Sequence, residues 1–193
     1  MSNSDKIKQM IQDSIESKQM LLKDEVLLNK IESCADLCIK SLNEGNRIIL
    51  AGNGGSAADA QHIAAEFVSR FEFDRPGLPA LSLATDTSMI TAIGNDYGYD
   101  KLFKRQIEAN GRKNDVFIGI STSGKSPNVL KALETAQKMG IHTVGFTGNK
   151  ESDMSNYCDI FIDTPSPSTA RIQEMHIMVG HCVCGIVESE IFG

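Results

Sequence analysis

The feature that most restricts what this chain can fold into is a repeated texture between residues 47 and 163. Short apolar runs recur, each closed by a polar or Gly/Ser turn, and most lead into a helical stretch. Arg47-Ile-Ile-Leu-Ala51 leads into Asn53-Gly-Gly-Ser56 and a helix over 57–70. Pro79-Ala-Leu-Ser-Leu83 precedes a helical stretch that begins near Thr87. Asp115-Val-Phe-Ile-Gly-Ile-Ser121 leads into a hydroxyl-rich turn and a helix over 127–139, and Thr143-Val-Gly-Phe146 and Asp159-Ile-Phe-Ile162 are the last two runs. Strands alternating with helices specify a parallel sheet covered on both faces, which is why the strands carry almost no polar residues. The expected fold is therefore α/β, a three-layer α/β/α sandwich with a five-stranded parallel sheet.

Helices flank this unit. Ile7, Met10, Ile11, Ile15 and Leu22 recur at three- and four-residue steps, and Ile31, Cys34, Leu37, Cys38 and Leu42 repeat the pattern before Gly45 and Asn46 end it. Pro165 and Pro167 break the chain, and a long C-terminal helix is expected over 169–191. The 193 residues make a single domain of ordinary size, with 1–45 as a helical extension and 46–193 as the sheet and its loops.

Composition narrows the function classes. Lys+Arg is 19 against Asp+Glu 25, a net charge of -6, which argues against a nucleic-acid partner. No run approaches the ~18 apolar residues of a membrane span, and the polar residues 1–8 have no apolar stretch of a secretory signal behind them. The five cysteines are odd in number and lack C-x-x-C spacing, so the expected setting is the reducing cytoplasm, with the thiols as small apolar fillers.

Ligands of an open parallel sheet sit at the carboxyl ends of its strands, where both Gly/Ser loops lie. Gly54 and Gly55 let the backbone of the first loop approach a ligand, and Ser56 with Asp59 reads as a capping box whose free N–H groups suit an anion. In the second loop, Ser121-Thr-Ser-Gly-Lys-Ser126, Ser126 reads as an N-cap with Pro127 at the first helical position. Hydroxyls at such a helix start form a cradle for a phosphate monoester. The same stretch, Gly119 to Ser126, matches the nucleotide P-loop pattern letter for letter, with Asp159 to Asp163 as a possible second strand of that motif. That reading ranks second, because Gly119 lies inside an apolar run instead of opening a loop.

His62 and Glu66 are four apart and share a helix face near the first loop. The pair suits either a metal site or acid–base work. Gln173 and His181 sit on the last helix, about 80° apart around it and roughly 12 Å along it. They reach different parts of an elongated ligand, or one metal if their side chains converge. His142, Glu174 and His176 read as structural or surface groups.

The ordered set of motifs resembles the SIS (sugar isomerase) fold and, within it, the phosphoheptose isomerases. The resemblance runs nearly end to end, through Ala51 to His62, Glu66 with Arg70, Asp74-Arg-Pro-Gly77, Thr91 to Gly98, Gly119 to Gly124, and Ala170 to His176 with His181. It implies conversion of sedoheptulose 7-phosphate to D-glycero-D-manno-heptose 7-phosphate by a homotetramer with sites between subunits, residues 1–45 serving oligomer packing. It implies one zinc per subunit held by His62, Glu66, Gln173 and His181, with Glu66 as base and His181 as its acid partner. Substrate contacts are implied for Asn53, Ser56, Arg70, Asn95, Asp96, Ser121, Thr122, Ser123, Ser126 and Gln173. Lys125 stands where an asparagine is common, and Ala170 where some members carry an aspartate, with Thr169 beside it. A non-enzymatic branch of the same fold binds the replication initiator DnaA; it lacks the Glu and distal His that this chain has at 66 and 181.

Overall fold

A computed structural model describes residues 1–148 and 151–193. Two helices come first. α1 (Asn3–Leu22) starts on a capping box between Ser2 and Asp5, and α2 (Glu25–Asn43) starts where Asp24 accepts the Leu27 N–H. Leu27, Ile31, Cys34, Cys38 and Leu42 line the buried face of α2 at helical spacing. The alternating unit follows as β1 (Ile48–Gly52), α3 (Gly55–Val68), β2 (Ala80–Ser82), α4 (Thr87–Tyr97), α5 (Leu102–Asn110), β3 (Val116–Ile120), α6 (Pro127–Lys138), β4 (His142–Thr147), β5 (Ile160–Asp163) and α7 (Thr169–Phe192). Strand and helix ends move from the expected positions by one or two residues. The separate helix α5 goes beyond the sequence reading. Gly98, at φ 89, ends α4, and a single 3-10 turn leads into α5.

All strand pairs are parallel, in the order β2-β1-β3-β4-β5. Side-chain alternation splits the core into two layers. Ile48, Leu50, Val116, Ile118, Val144 and Phe146 face α2, α3 and α7. Ile49, Ala51 and Phe117 face α5 and α6 through Leu102, Phe103, Ile107, Val129 and Leu133. The three-layer α/β/α architecture is as expected. Gly119 lies within β3, and a Cβ there would come within 3.0 Å of Val129 and 3.3 Å of Leu133 on α6. It is a packing position under a helix, and this counts against the P-loop reading.

The strand order reverses direction between β1 and β3. At such a switch point the loops leaving neighbouring strands splay apart and open a crevice. The loops leaving β1 and β3 are the two Gly/Ser segments. α7 packs on α2 and α3, and α1 lies outside it. By length and composition α7 could cross a membrane, yet Met175, Val179, Val183 and Val187 bury one of its faces in the core. All five cysteines are free; Cys34, Cys38 and Cys184 are buried fillers, whereas Cys182 is exposed on α7, contrary to the filler reading.

Candidate active site

The first loop turns on Gly54, whose φ of 56 and ψ of -121 would strain any residue with a Cβ. Gly55 is needed for a different reason: a Cβ there would stand 2.4 Å from the Gln173 amide nitrogen. The loop and α7 therefore touch through Gln173. The expected capping box does not form. Gly54 is the N-cap of α3 and no side chain caps it; Ser56 lies inside the first turn, 3% exposed, with its N–H on the Asn53 carbonyl. Asp59 is left with a buried Oδ2 that has no hydrogen-bond partner among the described residues. Burial raises its carboxyl to about 6, with His62 opposing the shift.

In the second loop, Ser121 is buried and its hydroxyl lies 2.9 Å from that of Ser126. Ser126 is the N-cap of α6 with Pro127 behind it, but its hydroxyl makes no capping bond. Ser123 and Lys125 are exposed, and Thr122 is half-buried. The two loops are tied by residues that sequence reasoning missed. Asn53 and Asn128 exchange both amide hydrogen bonds at 2.9 Å, and the Tyr99 hydroxyl donates to Asn53 Oδ1 at 3.1 Å. Nothing in the spacing of Asn128 or Tyr99 distinguishes them from ordinary helix and turn residues.

Beyond the loops, α3 and α7 bring three side chains together. His62 Nε2 lies 3.0 Å from Glu66 Oε1 and 3.2 Å from His181 Nε2. One donor atom from each residue fits within a span of 4.8 Å. Packing explains the approach: a Cβ on Gly180 would fall 2.4 Å from Ile63 Cδ1, so the glycine lets α7 close on α3 one residue from each histidine. Two imidazole nitrogens and a carboxylate oxygen are a zinc donor set. The chain's donors therefore fit the metal implied for this site.

The expected site residues divide. His62, Glu66 and His181 converge, while Asn53, Gly54, Gly55, Ser56 and Gln173 meet at the first loop, opposite Ser121 and Ser126. Arg70 is exposed just beyond α3 and makes no side-chain hydrogen bond among the described residues. The Asn95 side chain donates to Asp96, and Asp96 lines a separate groove with Met89, Ala92 and Arg105 between α4 and α5. Among the described residues, no hydrogen bond joins any of these three to the histidine cluster. His176 is fully buried; burial lowers its imidazole to about 4, the nearby Thr147 backbone opposing this only in part. His142 starts β4 near Asp159, and Glu174 bonds Ser14 and Arg171, so all three are structural as expected.

Beneath the cluster lies a buried ion pair that the sequence did not reveal, Arg75 with Glu188 at 2.9 Å. Burial alone would raise the Glu188 carboxyl. The Phe71 and Glu72 N–H groups, with Arg75 and Phe73, outweigh it and hold the carboxyl below the ordinary glutamate range.

A strand-order switch flanked by two Gly/Ser loops, with a His/Glu cluster one helix away, defines an α/β protein whose polar side chains gather at the carboxyl end of its sheet. Residues 12–148 match the SIS domain family. A phosphoheptose isomerase of Burkholderia pseudomallei is 60% identical over 173 residues, 90% of this chain and 88% of the relative. That of Aneurinibacillus thermoaerophilus is 59% identical over 189 residues, 98% of this chain and 96% of its own. The solved phosphoheptose isomerase GmhA from Neisseria gonorrhoeae superposes with a TM-score of 0.91 at 39% identity, covering 97% of this chain and all of that one. The chain belongs to the phosphoheptose isomerase family of SIS-domain proteins, and it is an isomerase.

Proposed function

We propose that the chain isomerises D-sedoheptulose 7-phosphate to D-glycero-D-manno-heptose 7-phosphate through a cis-enediol(ate). The observation that carries this is the meeting of Glu66 and His181, from distant parts of the chain, around His62. Ketose–aldose exchange requires one proton to move between adjacent carbons, and that takes a base and an acid within reach of both.

Glu66 removes the C1 proton of the open-chain ketose and returns it to C2. His181 carries the hydroxyl proton from O1 to O2. Glu66 Oε1 faces His62, while Oε2 makes no hydrogen bond among the described residues and is available for the proton. Such a positioned group typically contributes about 10²–10⁴-fold. The phosphate sits between the loops after β1 and β3, contacted by Ser56, Ser121, Thr122, Ser123 and Ser126. Its binding orients the reacting carbons from a distance. Backbone N–H groups and hydroxyls hold it despite the acidic body. His62, Glu66 and His181 would hold one zinc, with Gln173 turning from the first loop to complete the set; the ion when bound supplies Lewis-acid polarisation of neighbouring oxygens.

The working unit is a homotetramer of single-domain chains. Ile7, Met10, Ile11 and Ile15 form an exposed apolar stripe on α1 suited to packing against other copies. Arg70, Asn95 and Asp96, which stand apart from the cluster within one chain, contact the sugar across subunit boundaries. The unpaired cysteines suit the cytoplasm, and the product feeds heptose for lipopolysaccharide core or capsule.

The test is incubation with sedoheptulose 7-phosphate in D₂O, read by NMR. The expected outcome is the aldose, its C2 hydrogen coming from the substrate's C1 by direct return or from solvent where the Glu66 carboxyl exchanges first; absence of the aldose rejects the reading. Chelation should abolish turnover and zinc restore it. Full activity after verified zinc removal would make the metal dispensable.

A further inference from the structure

The Arg75–Glu188 pair is built unlike an ordinary surface ion pair. Both side chains are almost wholly buried, at 2% and 1% exposure. Buried ions are tolerated only when nearly every donor and acceptor is satisfied, and here they are. Arg75 Nε donates to Glu188 Oε1, Nη1 to the Phe67 and Pro76 carbonyls, and Nη2 to the carbonyl of Glu66 itself at 2.8 Å. The Glu188 oxygens also accept N–H bonds from Phe71, Glu72 and Phe73.

The placement of these bonds matters more than their number. Glu66 and Phe67 carry two of the last four carbonyls of α3, groups that a helix leaves unpaired, and the guanidinium caps them with positive charge where the helix dipole favours it. Glu188 lies two turns beyond His181 on α7. It fixes the backbone of Phe71, whose ring packs against the His181 ring at 5.5 Å between centroids. One salt bridge thus grips the backbone of Glu66 on one side. On the other it grips both the helix that carries His181 and the ring beside it.

We infer that Arg75 and Glu188 are positioning residues that set the separation and orientation of Glu66 and His181 without touching substrate. The inference rests on the roles given to Glu66 and His181 above. It assigns a specific task to the arginine of the Asp74-Arg-Pro-Gly77 turn. Lysine cannot replace it, since a single ammonium cannot span the Glu66 carbonyl, the Phe67 carbonyl and Glu188 in one plane.

The test compares the full-length native chain with Arg75→Lys and Glu188→Gln, each checked for folding by circular dichroism and thermal melting. Leu133→Ala, on the opposite layer of the core, serves as a control for destabilisation alone. Two quantities are read: zinc affinity by competition with a chromophoric chelator, and kcat and KM with sedoheptulose 7-phosphate. Support-shell losses of this kind typically reach about 10–100-fold. Arg75→Lys and Glu188→Gln should weaken zinc by that range and lower kcat with KM within about threefold, while Leu133→Ala lowers the melting temperature and leaves both quantities near native. Folded variants with native zinc affinity and kcat would overturn the inference, as would an equal loss in Leu133→Ala. Failure of both variants to fold would make the pair purely structural and reject it as well. If the native chain neither binds zinc nor turns over, the parent reading fails first, and that result is visible before any variant is compared.

Discussion

The two ends of the site are held in different ways. The loops after β1 and β3 are fixed by hydrogen bonds among themselves: the Asn53–Asn128 amide exchange, the Tyr99 hydroxyl, and the Ser121–Ser126 contact. The His62–Glu66–His181 cluster is fixed by helix packing, through the Gly180–Ile63 approach and the buried Arg75–Glu188 pair. A phosphate tolerates small displacements, because many donors share its charge and each can bend. A proton transfer does not, because the base and acid must meet two adjacent carbons. On the proposed roles, the more exacting chemistry is mounted on packed helices and the phosphate on hydrogen-bonded loops.

The sharpest way to break this contrast is at the base. Glu66→Gln should lower kcat by about 10³-fold with phosphate affinity retained, measured by turnover and by competition with inorganic phosphate; near-native turnover would remove the cluster from the chemistry.

His176 tests the stretch of α7 that joins the two ends. Its folded pKa lies below that of the unfolded chain, so the unfolded state takes up a proton first as pH falls. The stability it lends is present above about 6.5 and is lost progressively toward pH 4, by an upper limit on the order of 3 kcal/mol. Urea unfolding at pH 7 and 4.5 should show a loss that is smaller in His176→Leu; equal losses would clear His176 of the effect.

Gly180→Ala probes the packing support directly. The added methyl should cost about 1–3 kcal/mol in stability and lower kcat more than it raises KM, and Ile63→Val should restore part of both. Additive effects in that double mutant would mean that the contact does not set the spacing.

The smallest effect is expected at the anion end. Asn128→Ala frees the Asn53 amide and should raise KM about tenfold, the equivalent of ~1.4 kcal/mol, with kcat little changed. A loss confined to kcat would invert the contrast.

Legibility in the sequence follows the same division. The strands, most helices and both loops announce themselves locally, through apolar runs, glycines and hydroxyls within a few residues of one another. The His62–Glu66 pair was visible as a helix-face spacing. What places His181 beside it is not local: the partners are 119 residues apart and meet because a glycine admits an isoleucine. Arg75 was visible only as part of a turn motif, since its partner Glu188 lies 113 residues away. The capping box at Ser56 failed because a positive-φ glycine already starts α3, leaving the serine inside the helix. α5 was missed because a glycine and one 3-10 turn separate it from α4.

The distance in sequence between His62 and His181 has a consequence for any refolding study. On the proposed roles the chain stays chemically silent until α7 has docked, since that helix brings the second imidazole to the cluster. Recovery of turnover therefore waits on the docking of α7 and on any assembly the site requires, whereas circular dichroism follows helix and strand content, that of α7 included, as it forms.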